Sequence, residues 1–287
     1  MKLATFRAGN RVSYGMVNGG DHVADLGAVL GQKYPRLIDV IAAGALDECR
    51  QAIATAPRIP LRQVQLLPPV PGAEKIICVG VNYPDRNAEY KDGSDQPKNP
   101  SLFMRTPGSL VGHGEAIMRP PESTQFDYEG EIVMVIGKGG RRIPAEHARE
   151  HVFGLTLMNE GSVRDWIRHG KFNVTQGKNF DRSGSIGPWI VTVDDLPGFD
   201  ALSLTTEVNG EVRQRGVTGE VMFSFEKLIA YISTFTTLAP GDIISTGTPV
   251  GAGARFDPPR WLKPGDVVRV ASPQIGVLSN EVADESA

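Results

Sequence analysis

The stretch FDYEGEIVMVIGK, residues 126–138, sets two glutamates against the start of an apolar run. Ile132 to Ile136 are all apolar, and Gly137 ends the run. A short apolar run closed by a glycine reads as a buried strand. Side chains on a strand alternate faces, so Glu129 and Glu131 project to the same side. Two glutamates at this spacing ordinarily mark a solvated strand face, but the apolar run behind them argues against a fully wet one. Carboxylates that enter a core are protonated, paired with cations or bound to a metal. Oxygen-only donor sets suit the hard ions Mg²⁺, Mn²⁺ and Ca²⁺. Glu160, which follows the apolar stretch LTLMN, is a candidate third anion; its alternative reading is a charge favoured by the start of the next helix.

Composition narrows the rest. The chain has 287 residues, 40% hydrophobic and 22% charged, with a net charge of -3. That is ordinary globular composition, enough to bury a sizeable core, and the basic residues do not cluster as nucleic-acid or anionic-membrane binding requires. Cys49 and Cys78 form neither a disulfide framework nor a thiolate metal site, and Cys78 in IICVG reads as a buried small hydrophobe. The start, MKLATFRAGN, lacks a signal-peptide core, and no apolar run reaches the length of a membrane span, so a cytoplasmic location is expected.

Along the chain, residues 1–70 read as a small N-terminal α/β domain and 71–287 as a second, larger domain. Short strands meet at a turn at Asn18 to Asp21. LIDVIAAGALDECRQAIATA has helical spacing, split at Gly44, and the proline-rich residues 57–75 read as an extended linker. Beyond KIICVGVNY, the polar loop from Pro84 to Pro100 is expected to carry a short helix around Asn87 to Lys91. Pro144 marks the start of a helix in RIPAEHAREHVFG, and Ser162-x-x-Asp165 has the form of a capping box. SFEKLIAYISTFTTL is the clearest amphipathic helix, with Ser224 as N-cap. With 33 Gly and 21 Pro, the pattern is α+β, mostly β, with many short strands.

The ordered motifs GVNY (80–83), DYEGE (127–131), NEGSVRD (159–165), QGKNFD (176–181), GPW (187–189), STGTPVGAG (245–253) and LKPGD (262–266) resemble the fumarylacetoacetate hydrolase family from Lys75 to the C-terminus. The resemblance implies a rolled mixed β-sandwich catalytic domain, commonly homodimeric. It implies a divalent-metal enzyme acting on small 2-oxo acids, by C–C hydrolysis, isomerisation or decarboxylation. Hydrolysis of an acylpyruvate-type 1,3-diketo acid, in aromatic or related catabolism, is the leading expectation; a keto–enol isomerase or a decarboxylase is the alternative. The metal ligands fall on Glu129, Glu131 and Glu160, with Mg²⁺ or Mn²⁺ expected and Ca²⁺ admitted by the donor set. Glu160 stands where the family usually has aspartate. Lys178 matches a lysine that stabilises enolate charge, while Thr248, Arg105 and Tyr83 match substrate-binding positions.

One departure stands out. Family hydrolases pair a lid histidine with a glutamate three residues on, to activate water; here Arg86 and Glu89 hold those positions. Arginine stays protonated near neutral pH and is no general base. Three readings stay open: Glu89 acts alone with Arg86 orienting the water or binding substrate, His113 supplies a base, or the reaction needs no activated water. Ile167 likewise replaces a glutamine common in relatives, and His169 and Lys171 add positive charge nearby.

Overall fold

The computed structural model describes residues 1–19, 21–89, 95–170 and 173–286, with the backbone alone at 87 and 88. Among them the fold is mostly β, with mixed sheets, as expected. A 12-stranded sheet runs from Arg58–Pro60 at one edge to Leu102–Arg105 at the other. A 5-stranded sheet, centred on Val267–Ser272, packs beside it, and Phe126–Asp127 pairs with Ser162–Val163 in a small ribbon.

Strand Gly130–Ile136 lies inside the large sheet, between Val152–Asn159 and Ile243–Ser245, and is buried throughout. Its period of two feeds two cores. Val133 and Val135 join the cluster built with Leu37, Val40 and Cys78. Ile132, Met134 and Ile136 join Phe225, Leu228, Ile229 and Ile232 of helix Phe225–Phe235, together with Val270 and Leu278 of the smaller sheet. Each of these side chains contributes about 1.5–3 kcal/mol when fully buried. A strand locked on both faces cannot slip by one residue without inverting both cores. Glu129 and Glu131 share the parity of Val133 and Val135, so the register fixes where both carboxylates point.

Local signals explain several element ends. Gly44 takes a left-handed conformation (φ 61) and separates helices Leu37–Ala43 and Leu46–Ala52. The Ser224 hydroxyl accepts the Lys227 N–H at 3.3 Å, a cap that typically contributes about 1 kcal/mol. Three expectations are corrected. The segment 57–75 carries strands Arg58–Pro60 and Gln65–Leu66, which pair with His22–Asp25 and Lys2–Ala8, so it is more than a linker. The lid helix is Pro84–Ala88, starting earlier than expected because proline suits the first helical turn; Tyr90 and Lys91 lie outside the described residues. Ser162 forms no capping box: its backbone pairs with Asp127, its hydroxyl donates to the Glu160 carbonyl at 3.0 Å, and Val163 becomes the N-cap.

The N-terminal strands are continuous with the rest. Lys2–Ala8 pairs with Gly184–Thr192 inside the large sheet, with Leu3 opposite Ile190. No helix among the described residues is long and apolar enough to cross a membrane.

Candidate active site

Antiparallel pairing assembles the acidic cluster. Gly130 faces Asn159 across the ladder, which places Glu160 beside Glu129, and the Glu160 N–H donates to the Glu129 carbonyl at 2.7 Å. Glu129, Glu131 and Glu160 are 5%, 1% and 1% exposed, so the solvated-face reading of the glutamates does not hold. One carboxylate oxygen from each lies within 4.8 Å of the others. Glu160, although a methylene longer than aspartate, brings its oxygen into the same group.

The three carboxylates live in different fields. Glu129 Oε1 accepts from Arg86 Nη2 at 3.0 Å and Arg164 Nη2 at 2.6 Å, and its Oε2 accepts from Lys178 Nζ at 2.5 Å. Burial opposes ionisation here, but Arg164, Lys178 and Arg86 outweigh it and hold the carboxyl well below the usual carboxylate range. Among the described residues Glu131 accepts hydrogen bonds from the Ser245 hydroxyl and the Gly247 N–H, at 2.6 and 2.7 Å, and from no cation. Burial, then the charges of Glu160 and Glu129, push its carboxyl well above the ordinary value. Lys178 Nζ also reaches Glu160 Oε2 at 2.8 Å; burial disfavours its charge, yet Glu129 and Glu160 prevail and raise its pKa. Glu160 Oε1 is buried with no hydrogen-bond partner among the described residues.

This donor set fits a divalent cation. All donors are hard oxygens, and their spacing allows a shared ion at the usual oxygen–metal distances of about 2.0–2.6 Å. The unpartnered Glu160 oxygen and the uncompensated Glu131 carboxylate are the groups a cation would satisfy. When bound, such an ion supplies Lewis-acid polarisation of a substrate oxygen.

A cavity of about 340 Å³ opens onto the cluster, and its charged wall residues are Arg86, Glu129, Arg164 and Lys178. The expected residues Arg86, Lys178 and Glu129 thus meet at one cavity. Glu89 stands behind Arg86: its Oε2 accepts from Arg86 Nη1 at 2.6 Å and its Oε1 from the Gly251 N–H at 3.0 Å. Asn82 fixes the entry to the lid helix, donating to the Phe223 and Thr246 carbonyls at 3.0 and 2.8 Å.

Thr248, Arg105 and Tyr83 do not face this cavity. The Thr248 hydroxyl donates to the Gly130 carbonyl at 2.9 Å and accepts from Gln214 Nε2 at 2.8 Å. The Arg105 guanidinium is buried on the Gly161 and Ser109 carbonyls and the Ser109 and Ser183 hydroxyls. Tyr83 is buried, and burial raises its hydroxyl pKa. His113 is also elsewhere: it lines a separate cavity with Trp189, and its Nδ1 accepts the Ser279 N–H at 3.1 Å. His169 stacks on Trp166 at 4.5 Å, and Lys171 is outside the described residues.

His113 carries a prediction of its own. Burial lowers its pKa, so the folded state favours the neutral ring. Its contribution to stability is complete above the unfolded value of about 6.5 and is lost as pH falls toward the folded one. Denaturation midpoints measured from pH 7.5 to 5 should fall less steeply in His113→Gln than in the native chain; equal slopes would reject this.

Sequence reading missed Arg164, Asp127 and Gln214. Arg164 Nε donates to Asp127 Oδ2 at 2.7 Å while its Nη2 holds Glu129. Asp127, fully buried, also accepts the Gly253 and Ala254 N–H groups at 2.8 and 3.0 Å. The signal was present: Asp127, Glu129 and Glu131 form one period-two row of carboxylates. Gln214 Oε1 accepts the Gly130 N–H at 2.9 Å, a contact between distant strands with no local signature.

A family model for the C-terminal region of fumarylacetoacetate (FAA) hydrolase matches residues 75–283. The chain belongs to the fumarylacetoacetate hydrolase family. Among curated family relatives, oxaloacetate tautomerase YisK of Bacillus subtilis (strain 168) is 36% identical over 302 residues, covering 98% of this chain and 100% of the relative. Among solved family structures, a putative HpcE protein from Mycobacterium smegmatis superposes with a TM-score of 0.88 at 32% identity, covering 100% of each chain. Maleylpyruvate hydrolase from Sphingobium sp. SYK-6, solved with manganese (II) ion and pyruvate, does so with a TM-score of 0.83 at 30% identity, again over 100% of each.

Proposed function

We propose that this protein is a divalent-cation-dependent keto–enol tautomerase of 2-oxo acids. The observation that carries the reading is Arg86. It occupies the lid position from which family hydrolases activate water, and it is locked between Glu129 and Glu89. Hydrolysis needs a base beside the attacking water. Among the described cavity-lining residues the one carboxylate is Glu129, and three cations hold it ionised. Tautomerisation needs no water, only one proton delivered at C3 and one withdrawn from the oxygen on C2. Lys178, held on Glu129 at 2.5 Å, is the proton-carrying side chain of this wall, and we assign it to that exchange, one proton given at C3 as one is taken from the oxygen on C2. The Lys178 ammonium also stabilises negative charge on the enolate oxygen in a dry site. Arg86 and Arg164 fix the Glu129 carboxylate. Glu129, Glu131 and Glu160 would hold Mg²⁺ or Mn²⁺. The similarity to a tautomerase over nearly the whole chain supports the same reading.

Acylpyruvate hydrolysis is the second reading, favoured by Glu89 beside the lid cation and by the similarity to maleylpyruvate hydrolase. Following enol oxaloacetate by ultraviolet absorbance, with pyruvate and carbon dioxide assayed in parallel, separates the activities. Loss of enol without either product supports the tautomerase; carbon dioxide release would show a decarboxylase. Arg86→His should introduce acylpyruvate cleavage at about 10²-fold or more above the native chain, the usual contribution of a general base. Native cleavage already at the variant's rate would reject the tautomerase reading.

A further inference from the structure

The cavity wall divides into a charged half and an apolar half. In the charged half every cation is already matched. Arg164 is held by Asp127 and Glu129, Arg86 by Glu89 and Glu129, and Lys178 by Glu129 and Glu160. Lys178 is also covered on another side by the Phe103 ring, 5.1 Å from its Nζ. Arg105, the sequence candidate for a distal substrate carboxylate, is turned away and committed to backbone carbonyls and serine hydroxyls. The other half of the wall is mostly apolar, Val81, Leu102, Phe103, Met104, Ile167 and Val174, with Gly80 and the uncharged polar residues Ser101, Asn173 and Thr175 among them. A second carboxylate placed against these side chains would meet no cation of the wall that is not already paired, among the described residues.

Resting on the 2-oxo acid reading above, we propose that the apolar half recognises an alkyl or aryl tail, so that the preferred substrate is a 2-oxo acid with a single carboxylate. The carboxylate and 2-oxo group lie toward the acidic cluster, and the tail lies along Phe103, Met104 and Ile167.

The test compares two stable probes of similar length, 2-oxohexanoate and 2-oxoglutarate, by calorimetric titration of the Mg²⁺-loaded protein. The native chain should bind 2-oxohexanoate at least about tenfold more tightly, the scale of discrimination by an apolar pocket. Met104→Arg and Ile167→Arg each supply the missing cation and should erase or reverse that preference. Met104 is 46% exposed, so its variant tests the idea without burying a new charge. Equal or tighter binding of 2-oxoglutarate by the native chain overturns the proposal, as does a preference that both arginine variants leave unchanged. Enol oxaloacetate is assayed alongside. Enol decay without the binding preference rejects the apolar-tail assignment and keeps the tautomerase. The preference without enol decay rejects the tautomerase and keeps the tail wall.

Discussion

Glu129→Gln is expected to cost the cation-free protein about 3–5 kcal/mol of stability, the usual penalty for removing one partner of a buried ion pair. Arg86, Arg164 and Lys178 all end on this carboxylate. An amide of the same shape accepts hydrogen bonds but leaves the positive charges uncompensated in a largely buried site. Divalent-cation affinity should fall with it, because an anionic donor is lost. Denaturant unfolding in chelator, followed by cation titration, reads both effects. Glu131→Gln is the contrast. Glu131 has neutral donors and two carboxylate neighbours, so its neutral replacement should leave the cation-free protein as stable or more so while still weakening cation binding. A loss below about 1 kcal/mol for Glu129→Gln, typical of exposed pairs, would show that water compensates the cluster.

Lys178→Met should lower kcat/KM by about 10²–10³, the scale for removing one preorganised group that stabilises developing negative charge. Its effect on the cation should run the other way. The ammonium occupies Glu129 Oε2 and Glu160 Oε2, two oxygens of the acidic cluster, and its removal frees both for an ion. Steady-state kinetics with enol oxaloacetate and a Mn²⁺ titration measure the two quantities on one variant. Lost turnover with unchanged or tighter Mn²⁺ binding assigns Lys178 to the chemistry; weakened Mn²⁺ binding would make it a structural support of the cluster.

What the sequence disclosed was what depends on near neighbours. The apolar run at 132–136, the break at Gly44 and the Ser224 cap follow from periodicity and backbone preference over a few residues. The convergence of Glu129 and Glu131 was legible for the same reason, since alternation on a strand is local. Glu160, Lys178 and Arg86 came from the order of motifs, and the ladder between Gly130–Ile136 and Val152–Asn159 shows how the first of these arrives. Residues whose partners lie far along the chain were misread or missed. The Ser162 backbone is taken by Asp127, the Thr248 hydroxyl by Gly130 and Gln214, and Arg105 by carbonyls more than fifty residues away as well as near ones. A polar side chain in a loop looks available for ligand until the fold supplies its partner.

The pairing of Lys2–Ala8 with Gly184–Thr192 has an evolutionary consequence. The family match begins at residue 75, yet the strand that covers Gly184–Thr192 on that side is contributed from the first eight residues. The N-terminal segment therefore cannot drift as an independent appendage. A change that weakened its ladder would open an edge along Ile190 and Val191, and an unpaired apolar edge invites association with other chains. Selection on the reaction thus extends to residues that never approach the substrate, and lineages exchanging this N-terminal segment would have to bring a strand of matching register with it.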